Sequence, residues 1–457
     1  MIFLLYLSLF VILYTYLGYP LIIALLARFA ARPWKREPWP AAFPTPISIV
    51  MAVHNGAALL PAQIEHLLSL EPALVREVLI VSDGSTDATN TILQNTCAPP
   101  SAASSLRVGE PATTSNPILQ NTCAPPSAAS SLRVGEPATI SNPILQNTCA
   151  PPLAASSLRV GEPATLSDPR LRTFILPEQA GKVAALNHAI ARATGDILLF
   201  IDIRPRVEPG ALASLLQNFA DPSVGCVAGE LLISQQGNDA TTSAVSGLYW
   251  RYEQWIRNCE AAVDSPVGVY GGFYAIRRAL VTPAPAGLIL DDMFQPLAIV
   301  RQGYRSVLDR SAIVVDRWPA KATGEFSRKV RTLAGNFQLC REAPWILSPS
   351  NRVLFQLVSH KLLRLAVPYF FLLLLAASAA LGLHSAACAL FAALQLAFWL
   401  LAAIAIRRPI PLLQRLAAPA SALLVLNAAA VVGLYTFLFT RGPLWRIWSP
   451  TAAPSDL

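Results

Sequence analysis

Several acids and bases of this chain stand where hydrophobic runs stop. Val78-Leu79-Ile80-Val81 leads into Asp83, and Ile197 to Ile201 leads into Asp202. Continuous aliphatic runs read as parallel strands buried on both faces, and ligands of open α/β sheets bind just beyond the carboxyl ends of such strands. The two carboxylates therefore predict one polar site. Lys182 follows Gly181 at the start of a helical stretch that also holds Asn187. A lysine and the free N–H groups of a helix start together suit a phosphate; a solvated surface lysine is the plainer reading. Asp291 and Asp292 precede an apolar helical stretch, where adjacent acids often serve as a cap.

The elements that position these residues sit in an apolar frame. Of the 457 residues 54% are hydrophobic, too many for a soluble enzyme of this length. Ile2 to Ala27 carries no charge and is long enough to cross a ~30 Å hydrocarbon core. It lacks the basic leading segment of a cleaved signal peptide, so residues 1–28 are expected to be a transmembrane helix. Leu365–Leu383, Ala386–Ile406 and Leu416–Thr440 are further candidates, placing about three spans in 365–440 before a tail at 441–457. Arg28, Arg32, Lys35 and Arg36 follow the first span; Lys361 and Arg364 precede the second; Arg407, Arg408 and Arg415 lie between the third and fourth. Basic loops stay on the cytoplasmic side, so the region between the first two spans is expected to face the cytoplasm from the cell (inner) membrane. Parity then sends the C-terminus outside, against which Arg441 and Arg446 count weakly. Val353, Leu354, Leu357, Val358 and Leu362 follow helical spacing beside Lys361 and Arg364, so 328–364 is read as interfacial helices.

The net charge of +8 fits membrane lipids as partners, because much of the basic excess flanks the spans. No zinc-type cysteine pairs or stacking-aromatic motif accompany it, so nucleic acid is not expected. Three of the seven cysteines, Cys97, Cys123 and Cys149, are copies of one repeated residue, and the rest are scattered as in a reduced compartment. The copies belong to a tandem repeat, Ile92–Pro117, Ile118–Pro143 and Ile144–Pro169. Its proline content and few large aliphatics leave little for stacked units to bury. Residues 92–169 are therefore read as a duplicated loop insert; loop closure entropy grows slowly, by about 0.6 kcal/mol per doubling.

In order along the chain come ISIVMAVHNG (Ile47–Gly56), SDGSTDAT (Ser82–Thr89), GKVAALNHAI (Gly181–Ile190), LLFIDIR (Leu198–Arg204) and LDDM (Leu290–Met293). Together they resemble the family 2 glycosyltransferases, more narrowly the membrane-bound, polysaccharide-synthase-like branch related to cellulose, chitin and hyaluronan synthases. The resemblance covers about Pro46 to Ala334. It implies an α/β, GT-A-type nucleotide-sugar-binding domain with a mainly parallel sheet over 45–327, flanked by transmembrane helices. It also implies an inverting hexosyltransferase that moves a sugar from a nucleoside-diphosphate sugar, UDP first, to a growing glycan or a lipid-linked acceptor.

The resemblance carries roles residue by residue. Asp83 matches the acid that contacts uridine, and Asn55 ends a first strand on the donor side. There the family has Ala-Tyr-Asn-Glu and this chain has Val53-His54-Asn55-Gly56, losing one acid. Asp202-Ile203-Arg204 stands where relatives have Asp-x-Asp holding Mg²⁺ or Mn²⁺ on the donor diphosphate. Asp202 with the donor phosphates holds the metal, or Arg204 supplies part of its charge on the donor, or the site is degenerate. Lys182 falls on the donor side. Asp292 matches the general base, and Asp291, Gly271 and Gly272 lie on the acceptor side. Arg331 retains the arginine of Gln-x-x-Arg-Trp and would meet the diphosphate. The Gln and Trp positions are Arg328 and Thr332, which removes the acceptor platform of processive synthases. Trp250, Tyr252, Trp255 and Tyr270 could line a sugar path, core packing being the plainer reading. Rival readings are a single-sugar transferase acting on a lipid carrier and a catalytically weak subunit or scaffold of a polysaccharide-export complex.

Overall fold

A computed structural model describes residues 1–38, 47–97, 168–234, 240–317, 322–407 and 411–448. It contains an eight-stranded sheet of β1 (Ile47–Val53), β2 (Val75–Asp83), β3 (Leu171–Leu176), β4 (Ile197–Ile201), β5 (Arg206–Val207), β6 (Val224–Ser234), β7 (Phe273–Arg277) and β8 (Arg305–Arg317), in the spatial order β3-β2-β1-β4-β7-β6-β8-β5. Pairing is parallel for β1 with β2 and β4, β2 with β3, and β6 with β8. It is antiparallel where β7 meets β4 and β6 and where β5 meets β8. The sheet is mixed and mostly parallel. Alternation along the strands divides the core into two layers. Ile47, Ile49, Met51, Val78 and Ile80 pack with Leu60, Ile64 and Leu67, while Val50, Leu79 and Val81 pack with Ala185, Leu186 and Ala189. Burial on both faces is why these strands read as unbroken aliphatic runs.

Four helices are long and apolar enough to cross a membrane: Ile2–Phe29, Leu354–Gly382, Ala386–Arg407 and Ala417–Phe439. The region expected as interfacial, 328–364, divides between two of the helices observed. Helix Ala322–Glu342 covers its first part, and residues from Leu354 onward run without a break into the helix ending at Gly382. A polar cluster fastens the first two of these apolar helices to helix Ala240–Val263. Tyr19 donates to Glu260 at 2.5 Å, His360 Nδ1 lies 2.7 Å from the same carboxylate, and Arg364 donates to Glu253 at 2.6 Å. The π-helical turns Tyr14–Gly18 and Leu357–Leu362 are joined by a 2.8 Å hydrogen bond between Tyr14 and Ser359.

The C-terminal end departs from the expectation of parity. A Cβ on Gly433 would approach the Ala334 backbone nitrogen at 3.1 Å, and Phe437 stacks on Phe337 at 5.8 Å. The last long helix thus ends along helix Ala322–Glu342. Beyond it, Trp445 packs against Gly181 and Gly287, so the chain up to Trp448 lies on the side of the sheet domain, not across a membrane from it. Hydropathy measures whether a helix is apolar and long and says nothing of where its far end packs. The repeat at 92–169 lies outside the described residues apart from its outermost positions, which include the end of helix Thr89–Cys97.

Candidate active site

The carboxyl ends of β2 and β4 deliver Asp83 and Asp202 as the strand pattern requires. Asp83 is buried and accepts hydrogen bonds from the N–H groups of Ala180 at 2.7 Å and Gly181 at 2.9 Å. Both its oxygens are engaged in holding the loop ahead of Lys182. Gly84 allows that approach: its φ is +58°, and a Cβ there would lie 2.3 Å from the Gln179 nitrogen. Asn55 has φ +50°, and its side-chain oxygen accepts from Thr86 N–H at 2.8 Å. Its own N–H donates to Ser85 at 3.1 Å. Asn55 thus clasps the Ser85–Asp87 turn to the end of β1. His54 contacts the Asp83 carbonyl at 2.8 Å.

Lys182 opens helix Lys182–Ile190 and is the hub of the acids. Its ammonium lies 3.1 Å from Asp202 and 3.4 Å from Asp291. Burial works against its charge, but Asp202, Asp291 and Asp292 outweigh burial and hold it above the ordinary lysine range. Asp291 and Asp292 begin helix Asp291–Arg301 with no side-chain cap bond at its start. Burial, and then the neighbouring Asp291 charge, push Asp292 up to about 6 against the opposing pull of Lys182, Arg257 and Arg331. A carboxyl in that range can accept a proton near neutral pH. Arg331 itself is exposed on helix Ala322–Glu342, close enough for its charge to reach Asp292.

Gly271 stands directly against this acid. A Cβ at Gly271 would lie 2.9 Å from the Asp292 Cβ and 3.2 Å from Oδ2, so any side chain there would press on the carboxylate. Gly272 is tied into the frame, its carbonyl accepting the Asp202 N–H at 3.3 Å. Arg204 pairs with Asp316 at 3.1 Å, and Tyr270 donates to the same carboxylate at 3.4 Å. The guanidinium that replaces the second acid of Asp-x-Asp therefore has an acid partner on β8. Of the other aromatics, Trp250 donates to the Leu231 carbonyl at 3.4 Å and Tyr252 to the Tyr16 carbonyl at 2.9 Å. Those two pack where the plainer reading puts them.

Sequence reasoning does not find Asp316, Arg257 or Trp445. Asp316 has a usable signal, because Ile313-Val314-Val315 leads into it as other strands lead into Asp83 and Asp202. Arg257 has none, since it depends on the packing of helix Ala240–Val263 beside Asp292. Among the described residues no group of three or more His, Cys, Asp or Glu side chains could hold a metal. Asp202 can still contribute one ligand: its side chain is 40% exposed, and Lys182 pairs with it at Oδ1. The other ligands would have to come from phosphate or water, which suits a hard cation.

The mixed, mostly parallel sheet with acids at its strand ends and apolar helices at both chain ends forms a GT-A-like fold. A mannosyltransferase, PcManGT from Pyrobaculum calidifontis, solved with GDP-Man and Mn²⁺, has the same fold. It aligns with a TM-score of 0.61 and 19% identity over 95% of this chain and 99% of its own. Residues 48–107 and 157–282 match the model of glycosyl transferase family 2. Short stretches are similar to curated N-acetylglucosaminyltransferases: 34% identity over 76 residues with that of Rhizobium meliloti (strain 1021), and 32% over 76 residues with that of Rhizobium leguminosarum bv. viciae. Each match covers 17% of this chain and 18% of the relative, so the chain spans under a fifth of the length of these relatives.

Proposed function

We propose that the protein transfers a sugar from a nucleoside-diphosphate sugar, UDP-linked first, to a hydroxyl acceptor, with inversion, at the cytoplasmic face of a cell membrane. The observation that carries this is the joining of Lys182, Asp202 and Asp291 in one ion-paired group beside Asp292, whose carboxyl is pushed up to about 6 and faces Gly271.

In this reading the donor diphosphate lies toward Lys182 and Arg331, and its charge competes with Asp202 and Asp291 for the ammonium. A Mg²⁺ or Mn²⁺ ion held by Asp202 would supply positive charge for the departing diphosphate. The acceptor enters past Gly271, and Asp292 Oδ2 takes the proton of its hydroxyl. As that proton leaves, the acceptor oxygen forms a bond to the anomeric carbon and the bond to the diphosphate oxygen breaks. The electron pair departs with the nucleoside diphosphate. Asp83 and Asn55 would act on the donor from beneath, by fixing the loops around it. The acceptor is a growing glycan or a lipid-linked acceptor; Thr332 in place of the tryptophan platform favours single-sugar addition to a lipid carrier.

The pairing of Arg204 with Asp316 favours a second reading, a catalytically weak subunit or scaffold of a polysaccharide-export complex, because it offsets the charge of the guanidinium that replaces the second acid of the motif. Full-length protein in nanodiscs, screened for nucleotide release from a panel of nucleotide sugars with Mg²⁺ or Mn²⁺, separates the two. Release from at least one donor supports transfer; folded protein inert toward the whole panel supports the subunit reading.

A further inference from the structure

Residues after the last long helix return to the site. Leu444 is buried and anchors the turn Leu444–Trp448. The neighbouring Trp445 is only half-buried, and its ring lies over two glycines. A Cβ on Gly181 would stand 3.1 Å from the indole, and one on Gly287 would stand 3.5 Å away. Both glycines have left-handed φ, +94° and +79°, so each loop turns sharply where the ring rests. Gly181 immediately precedes Lys182, and Gly287 lies in the loop leading to Asp291 and Asp292. Gln338 of helix Ala322–Glu342 fixes that second loop, donating to the Gly287 carbonyl at 2.9 Å and accepting the Ile289 N–H at 3.0 Å. The Arg446 guanidinium lies 5.4 Å from the Trp445 ring centroid.

We propose that Trp445 forms a wall of the nucleotide-sugar site, with the nucleoside part of the donor packed against the part of the ring that solvent reaches. The inference rests on the sugar-transfer reading above. A flat indole suits a flat base, because aromatic stacking tolerates any base, and Arg446 brings a cation to the same ring. The acceptor is the weaker candidate for this surface. It approaches Asp292 past Gly271, while the ring is seated on the loop that starts the phosphate-facing helix. The turn after the last long helix thereby becomes part of the donor site, so a segment remote in sequence sets donor affinity.

The test uses the full chain in nanodiscs, with UDP plus Mn²⁺ titrated calorimetrically and donor and acceptor concentrations varied in rate assays. Trp445→Ala is expected to weaken UDP binding and raise the donor KM by roughly 5- to 150-fold, with kcat little changed. Trp445→Phe, which keeps a flat ring, is expected to recover most of the affinity and guards against a misfolded alanine variant. Unchanged UDP affinity with a raised acceptor KM would overturn the proposal by giving the ring to the acceptor. Unchanged values throughout would reduce Trp445 to packing. Wild-type protein that binds no UDP and turns over no nucleotide sugar would sink the sugar-transfer reading itself, whereas wild-type binding matched by Trp445→Ala would sink this inference alone.

Discussion

If Asp292 is the base, the rate must follow its ionisation. Its carboxyl is held up to about 6, first by burial and then by Asp291. The base form is therefore about nine-tenths populated at pH 7 and about one-tenth at pH 5, so kcat/KM should fall about tenfold between them. An ordinary carboxyl, near 3.8, would leave the rate almost flat over that range. The sign of each perturbation follows from the neighbours. Asp291→Asn removes a like charge and should move the acid limb to lower pH. Lys182→Met removes an opposing cation and should move it to higher pH, besides weakening donor binding. Asp292→Asn should lower turnover by roughly 10²–10⁴ with nucleotide affinity nearly intact. Nucleotide release from nanodisc-held enzyme across a pH series, with fold checked by thermal unfolding, reads all of these. An acid limb that Asp291→Asn does not move, or near-normal turnover in Asp292→Asn, would refute the reasoning.

The remaining expectations concern the metal, the repeat and the polar cluster. Chelation and Asp202→Ala should each abolish turnover. Arg204→Asp should shift the Mn²⁺ titration midpoint downward by adding an oxygen ligand; full activity in excess chelator would move the weight onto Lys182 and Arg331. In-frame deletion of Ile92–Pro143 removes two repeat units, and the family 2 match itself passes over 108–156. The deleted protein should insert and turn over donor as the parent does, and aggregation or loss of activity would show the repeat to be needed. Glu260→Ala strips a buried acceptor from Tyr19 and His360 and should cost about 1–3 kcal/mol for each donor left unsatisfied. A clear fall in Tm for detergent-solubilised protein is the readout, and an unchanged Tm would mean the cluster does not fasten the helices.

Much of the sheet is legible in the sequence because burial on both faces leaves a plain mark: an aliphatic run ending in an acid. What such marks do not carry is the direction of each side chain. Asp83 stands at its strand end, but its oxygens turn to Ala180 and Gly181, a contact that needs a loop about a hundred residues onward and a glycine at 84. Arg204 has no acid beside it in the sequence; its partner, Asp316, reaches it only through the pairing of Arg206 with Val315 in β5 and β8. Non-local register of this kind leaves no local pattern in the chain. The C-terminal turn is hidden for a related reason. Four apolar helices suggest four crossings, but the contacts of Gly433, Phe437 and Trp445 depend on the packing of separate elements.

The most direct test of the central claim is the anomeric configuration of the first product, followed by NMR as wild-type enzyme consumes its nucleotide sugar. Direct attack by an acceptor hydroxyl deprotonated by Asp292 predicts one inversion, so an α-linked donor yields a β-linked product. A product that keeps the donor's configuration, or a folded enzyme that forms no glycosidic bond from any nucleotide sugar, would contradict the account.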